Sequence, residues 1–217
     1  MIIQANYEET QRKNRNGFFK SELVRCFCSL HFLLTVFGVV CVCILGIFQT
    51  ITQAAKNQQV REIFSSVRAI EQSLVFDQYK SLMIAVLAGL YSYTFAKDYT
   101  HHNIRNILVR ISYEDYAITK IVVNVGGTVV AVIIGFLLTV FLMLPIMPFE
   151  SHVDQSLVST AFNAMVTSPI GAILFLTLLG INFGLAASTL TTAGMALSVW
   201  NPNSYVAIGG SVLLFYF

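Results

Sequence analysis

Two adjacent histidines, His101 and His102, and two Cys-x-Cys pairs are the residues best suited to chemistry, because imidazole and thiolate are ligands of zinc. Residues one or two apart on a helix diverge, and two apart they point about 200° away from each other. Cys26 and Cys41 would stand roughly 22 Å apart on a continuous helix, too far to share an ion. We therefore favour apolar packing for the cysteines and a solvated or interfacial role for the histidines over metal binding. The four cysteines are Cys26, Cys28, Cys41 and Cys43.

Motifs for other chemistry are missing from the sequence. It contains no G-x-x-x-x-G-K-[ST] phosphate loop, no G-x-S-x-G nucleophile turn and no H-E-x-x-H zinc motif. We therefore expect no catalytic residues, no cofactor bound by this chain and no enzyme activity of its own.

Composition indicates an integral membrane protein. The chain is 56% hydrophobic and only 11% charged, with a mean hydropathy of +0.71, whereas a soluble domain carries roughly 25% charged residues. All 13 Lys and Arg residues lie at or before Lys120. A net charge of +2 without a solvated basic run excludes a nucleic-acid partner and leaves membrane lipids as the surroundings.

Apolar segments predict a single all-α transmembrane domain, since about 20 apolar residues cross a bilayer. Residues 1–29 would form a cytosolic tail and an amphipathic interfacial helix, with Phe19, Leu23 and Phe27 on one face. Helical spacing also predicts a structured connection over 54–80. The chain either is truncated in its fifth span or ends inside the membrane. The predicted complete spans are 30–51, 81–96, 121–147 and 170–198, and 205–217 begins the fifth.

The distribution of basic residues predicts the orientation. The loop 150–168 lacks Lys and Arg and should face outside, which places the N-terminus and the loop 97–120 in the cytosol. Four basic residues in the connection 54–80 run against this assignment.

Small and weakly polar residues stand out within the spans. Gly180, Gly184 and Ser188, at four-residue steps, allow close helix packing, and we favour packing within one bundle over a dimer or pore-lining face. Another group can hydrogen-bond inside the membrane or line a path for an amphipathic cargo. Its members are Asn124, Thr128, Asn182, Thr189 and Thr192.

The cytosolic loop predicts a short amphipathic helix over 103–111. Ile104, Ile107, Leu108 and Ile111 recur at helical spacing, so they share one face. Such a helix can rest on lipid headgroups or dock into a groove of another protein.

The loop sequence "FAKDYTHHNIRNILVRISYEDYAITK" resembles the membrane-spanning permease subunits of bacterial ATP-binding-cassette exporters of the ABC-2 type. His102, Asn103 and Tyr113 depart from the residues usual there, which are glycine, threonine and arginine. The matching positions are Phe95, Asp98, Ile104, Arg105, Asn106, Ile107, Leu108, Ser112 and Lys120.

The resemblance implies a six-span helical bundle in the bacterial cell membrane, coupled to two cytosolic ATPase subunits that carry ATP and Mg. It implies a second permease copy or a paralogue, and export of a hydrophobic or amphipathic peptide, drug or lipid. The alternative is a non-transporting membrane immunity or binding protein that sequesters an amphipathic peptide. The residues implied in ATPase coupling are Asp98, Asn103, Ile104, Arg105, Ile107, Leu108, Ile111 and Ser112.

Overall fold

The computed structural model describes residues 2–57, 66–92, 94–100, 103–109, 111–146, 169–201 and 203–217. These residues form helices and no strand, which confirms the all-α prediction for the described part of the chain. The helices are α1 (Ile2–Phe27), α2 (Leu30–Gly46), α3 (Phe48–Lys56), α4 (Ser66–Ser73), α5 (Asp77–Tyr91), α6 (Thr94–Thr100), α7 (Asn103–Leu108), α8 (Tyr113–Met143), α9 (Pro169–Leu197) and α10 (Ser204–Tyr216).

Two helices, α8 and α9, are long and apolar enough to cross a membrane, with 31 and 29 residues. A third crossing is possible by length if residues 15–27 of α1 and all of α2 count as one broken span, which bends by 48°. The helices α2, α5 and α10 have 17, 15 and 13 residues, short of the ~20 needed alone. The expected loop 150–168 lies outside the described residues.

Helix boundaries differ from the predicted spans where local signals intervene. The segment 30–51 is divided between α2 and α3 at Ile47, and the segment 81–96 is divided between α5 and α6. The third segment begins at Tyr113 rather than at residue 121, because Ser112 caps the helix: its Oγ accepts a hydrogen bond from the Asp115 backbone N–H at 3.1 Å. Lys120 therefore lies two turns inside α8.

Helix α8 is the centre of the bundle and packs against α1, α2, α5 and α9. Its buried face includes Val123, Val132 and Phe136. The predicted interfacial face of α1 also packs inward, because Phe19, Leu23 and Phe27 contact this same core. That face therefore lies partly against protein, and its position on the membrane surface stays a prediction.

The small-residue stripe of α9 faces α8 of the same chain. A Cβ atom placed on Gly184 would lie 2.9 Å from the Cα of Val129, and one placed on Gly180 would lie 3.3 Å from the Cα of Ile133. Ser188, one turn beyond Gly184, is buried. Because Gly180 and Gly184 have no side chain, the backbones of α8 and α9 can approach each other closely.

Gly184→Ala should lower the thermal unfolding temperature of the protein in detergent, because the new methyl group meets backbone that cannot move aside. The expected cost is about 1–3 kcal/mol, as for other overpacked cores. Gly126→Ala is the matched control, since a Cβ there meets nothing within 4 Å. It should be neutral or stabilise by up to about 1 kcal/mol through helix propensity. Equal effects of the two substitutions would contradict the close approach.

Candidate functional site

Four charged side chains from three helices meet at one end of the bundle. Glu22 and Arg25 come from α1, Asp98 from α6 and Lys120 from α8. We call these four residues the charge cluster. Its two carboxylates balance its two cations, which is the condition under which charged groups are tolerated away from water.

Lys120 is the centre of the charge cluster. Its Nζ atom lies 2.8 Å from Glu22 Oε2 and 2.8 Å from Asp98 Oδ2, and the residue is only 1% exposed. The rings of Tyr91 and Tyr116 have their centres 5.1 and 5.6 Å from the same nitrogen, close enough for cation–π attraction. One ammonium therefore joins two carboxylates and two aromatic faces.

Each carboxylate also accepts hydrogen bonds from other donors. Arg25 Nη1 lies 3.1 Å from Asp98 Oδ1 and 3.4 Å from Glu22 Oε1. The Tyr91 hydroxyl donates to Glu22 Oε2, and the Tyr116 hydroxyl donates to Asp98 Oδ2 at 3.3 Å. The network is thus closed on both carboxylates, which is what a buried ion pair needs to offset the loss of water.

The electrostatics of Asp98 follow from this arrangement. Burial by itself would raise the pKa of the Asp98 carboxyl. The charges and hydrogen bonds of Lys120 and Arg25 outweigh burial and hold this pKa below its ordinary value. Asp98 is accordingly ionised at neutral pH.

Local sequence places these groups. Glu22 and Arg25, three residues apart, share one side of α1. The Ser112 cap fixes the start of α8, and Tyr116 and Lys120 then follow at successive turns of one face. Two further contacts hold α1 against α8: Arg15 pairs with Asp115 at 3.6 Å, and the Phe18 ring lies 5.8 Å from that of Tyr116.

The charge cluster joins α1, α6 and α8 through paired charges. In the described part of the chain no three His, Cys, Asp or Glu side chains converge on a point where a metal could bind. The four cysteines, Cys26, Cys28, Cys41 and Cys43, are free thiols and form no disulfide. What the cluster does is fix α1, α6 and α8 relative to one another.

The predicted coupling stripe is only partly presented to solvent. Ile111 is buried, Ile104 and Ile107 are half-buried, and Leu108 is 36% exposed. Val109, which no pattern singled out, is 87% exposed. The short helix α7 packs on α6 and turns its end, Leu108 and Val109, outward.

The other predicted coupling residues are dispersed around this helix. Arg105 is exposed, as is its neighbour Asn106, which is a matching position of the resemblance and not a predicted coupling residue. Ser112 caps α8, and Asp98 belongs to the charge cluster. The side chain of Asn103, together with His101 and His102, lies outside the described residues.

Sequence reasoning missed Glu22, Tyr91 and Tyr116 as contacts of Lys120, and it missed Arg25 as a second cation beside the same carboxylates. One signal was present: Lys120 is the last basic residue before 97 residues without any, at the edge of a strongly apolar segment. An ammonium in such a place needs buried carboxylates. Nothing in the linear pattern shows that Glu22, 98 residues away, is one of them.

A cleft of about 140 Å³ opens beside the charge cluster, between the start of α8 and the end of α9. Its walls are mainly apolar, and Lys120 and Thr192 are among its polar lining residues. The volume is close to the ~150 Å³ of an apolar cavity that takes a benzene ring. The lining residues are Tyr113, Tyr116, Ala117, Lys120, Ile121, Thr192, Met195, Ala196 and Val199.

Comparison with known proteins returned no match, whether with protein-family models, with curated proteins or with solved structures.

Lys120→Met should destabilise the protein strongly, because it removes the buried cation of Glu22 and Asp98 and leaves them only the half-exposed Arg25. Breaking a buried ion pair in this way costs about 3–5 kcal/mol, measurable as a fall in thermal unfolding temperature in detergent. Adding Glu22→Gln and Asp98→Asn to Lys120→Met should recover much of the loss by removing the buried negative charge. A single variant as stable as the wild type would contradict the ion pairs described.

Asp98 should also make stability depend on pH. Its folded pKa lies below the unfolded value of 3.8, so its contribution is present above pH 3.8 and is lost as pH falls through the folded pKa. The stability difference between wild type and Asp98→Asn should therefore shrink on acidification. Asp77→Asn is the control, since the Asp77 side chain is 73% exposed and pairs only with Lys80 at 2.9 Å among the ion pairs described. A difference for Asp98→Asn that stays constant with pH would contradict the assignment.

Proposed function

We propose that this chain is the transmembrane subunit of an ABC-2-type exporter. It would lie in the bacterial cell membrane with its N-terminus in the cytosol and contribute four spans and the start of a fifth. It would pair with a second permease copy or a paralogue and with two cytosolic ATPase subunits that bind ATP and Mg. Two long apolar helices support the membrane location, and the loop between α6 and α8 carries the resemblance.

One observation carries the coupling part of the proposal: the charge cluster bridges both flanks of the loop. Asp98 lies on α6 before the loop and Lys120 lies on α8 after it, and their side chains are 2.8 Å apart. Glu22 adds α1 to the same junction. A force on α7 would then move α1, α6 and α8 together, because these helices are joined and cannot move independently.

The exposed end of α7 is the part of this loop that suits a partner. Val109 and the edge of Leu108 present apolar surface, while the buried Ile111 anchors the return to α8. An ATPase whose two nucleotide states contact this end differently would bias the orientation of α8. α8 would transmit that bias to the core it organises.

Support for the cargo class comes from the cleft beside the charge cluster. Its apolar walls, including Ile121, Met195 and Val199, match the apolar part of a peptide, drug or lipid. Outside the charge cluster, the cleft offers no charged side chain to recognise an ion or a phosphate. The cargo we infer is therefore hydrophobic or amphipathic.

Val109→Asp should leave the subunit in the membrane and abolish its co-purification with an ATPase. The affinity-tagged full chain would be purified from its native cells in mild detergent, and the captured protein identified by its phosphate-loop motif and Mg-dependent ATP hydrolysis. The combined change of Ile107 and Leu108 to Asp should have the same effect, although half-buried Ile107 adds a folding cost.

Val75→Asp is the matched control, because Val75 is also exposed, at 66%, and lies in a different connection, just before α5. It should keep the ATPase bound. If no such ATPase accompanies the wild-type chain, the transporter proposal is wrong and the immunity or binding alternative is favoured. An ATPase retained by Val109→Asp would reject only the docking surface.

A further inference from the structure

A polar seam runs between α8 and α9, immediately inward of the cleft. It consists of Asn124 and Thr128 on α8 and Thr191 and Thr192 on α9. Asn124 Nδ2 donates to the hydroxyls of Thr191 and Thr192, at 3.0 Å each. Asn124, Thr128 and Thr191 are fully buried.

Two oxygens of this seam have no hydrogen-bond partner among the residues that the structure describes. They are Asn124 Oδ1 and Thr128 Oγ1. The orientation of the amide is determined by its neighbours: Thr191 already donates its proton to the Ser188 carbonyl oxygen at 3.1 Å, so it must accept from Asn124. The amide oxygen of Asn124 is thereby the end that remains unsatisfied.

Thr128 differs from other threonines in the apolar helices. Thr35, Thr139 and Thr177 each donate to the carbonyl four residues earlier, at 2.8 Å. The Thr128 hydroxyl makes no such bond. Buried polar atoms are almost always hydrogen-bonded, and most strongly so where no bulk water can reach them. Asn124 Oδ1 therefore calls for a hydrogen-bond donor from outside the described residues, and the Thr128 hydroxyl, which can donate or accept, calls for a hydrogen-bonding partner.

The cleft adjoins the seam at Lys120 and Thr192, and the two oxygens lie beyond its lining. Lys120, Asn124 and Thr128 follow at four-residue intervals on one face of α8, so Thr128 lies about 12 Å beyond Lys120 along the axis. Thr192 both lines the cleft and bonds to Asn124. The cleft, at 140 Å³, has room for several water molecules, each occupying ~30 Å³ in the liquid.

We propose that the polar seam is a hydrated binding site, entered through the cleft, for uncharged groups that donate hydrogen bonds. Water and the amide or hydroxyl groups of an amphipathic cargo share this chemistry. Charged groups are disfavoured because the seam's four residues carry no charge, and an unpaired charge there would lose its hydration without compensation. The binding of cargo at the seam rests on the proposed function, whereas the binding of water does not.

Alkylation of Thr128→Cys tests whether uncharged polar molecules reach the seam. The full chain in lipid vesicles would be treated with iodoacetamide or with iodoacetate, and each cysteine quantified by peptide mass spectrometry. With rates normalised to glutathione, iodoacetamide should label position 128, and iodoacetate should label it at least about tenfold more slowly.

The controls lie in the same chain. Ala131→Cys introduces a thiol one turn further along α8 at a fully buried apolar position, and native Cys43 is also fully buried. Neither should react with iodoacetamide. Labelling of position 128 no faster than positions 131 and 43 overturns the proposal, as does labelling by iodoacetate at an equal normalised rate.

Thr128→Val provides a second test that avoids cysteine chemistry and has opposite outcomes for a wet and a dry seam. In a hydrated seam the substitution removes a hydroxyl bound to water and lowers the thermal unfolding temperature. In a dry seam it removes an unsatisfied group and leaves that temperature unchanged or higher. Thr139→Val, which removes a satisfied hydroxyl, sets the scale. An unchanged or higher unfolding temperature for Thr128→Val overturns the proposal.

Both measurements use the chain without any ATPase. A seam that is labelled while no ATPase is found would retain the site and reject the transporter. A docked ATPase with an unreactive seam would do the reverse.

Discussion

A buried ammonium in an apolar helix is stable only while carboxylates surround it, and the arrangement of this bundle follows from that constraint. Lys120 lies in the wall of α8 with almost no exposure and pairs with carboxylates on two other helices. An unpaired charge there would be costlier than most single packing defects, so α1 and α6 cannot leave α8 independently. The apolar core gives the bundle its cohesion, and the charge cluster gives one end of it a defined arrangement.

The polarity of α8 decreases along one face of the helix. Beyond Lys120 the face of α8 continues as amide and hydroxyl groups at Asn124 and Thr128, then becomes apolar at Val132 and Phe136. Backbone contact through Gly180 and Gly184 brings α9 close enough for Thr191 and Thr192 to reach that face. The small residues therefore set the separation of α8 and α9, and the polar residues form hydrogen bonds across it.

Composition and periodicity were enough to predict an all-helical chain with apolar segments, because both reflect local burial. The charge cluster was beyond them, since Glu22 and Lys120 are far apart in sequence and meet only through the packing of α1 on α8. The start of α8 was misplaced for a different reason. The cap at Ser112 is a local signal, but hydropathy alone places the helix where the charges end. Residues 104–111 show a third case, in which helical spacing marked a shared face and tertiary packing decided which part of it stays exposed.

The Ser112 cap has a consequence for how this chain can vary in length. The number of residues between Ser112 and Lys120 sets the direction in which the ammonium group points from α8. One inserted residue would rotate Lys120 by about 100° around the helix axis, away from its carboxylates. An insertion before Ser112 leaves that angle unchanged, because α8 still begins at the Ser112 cap. Related chains should therefore tolerate insertions and deletions on the α7 side of Ser112 and exclude them on the Lys120 side. The loop before Ser112 can thus change in length without disturbing the charge cluster.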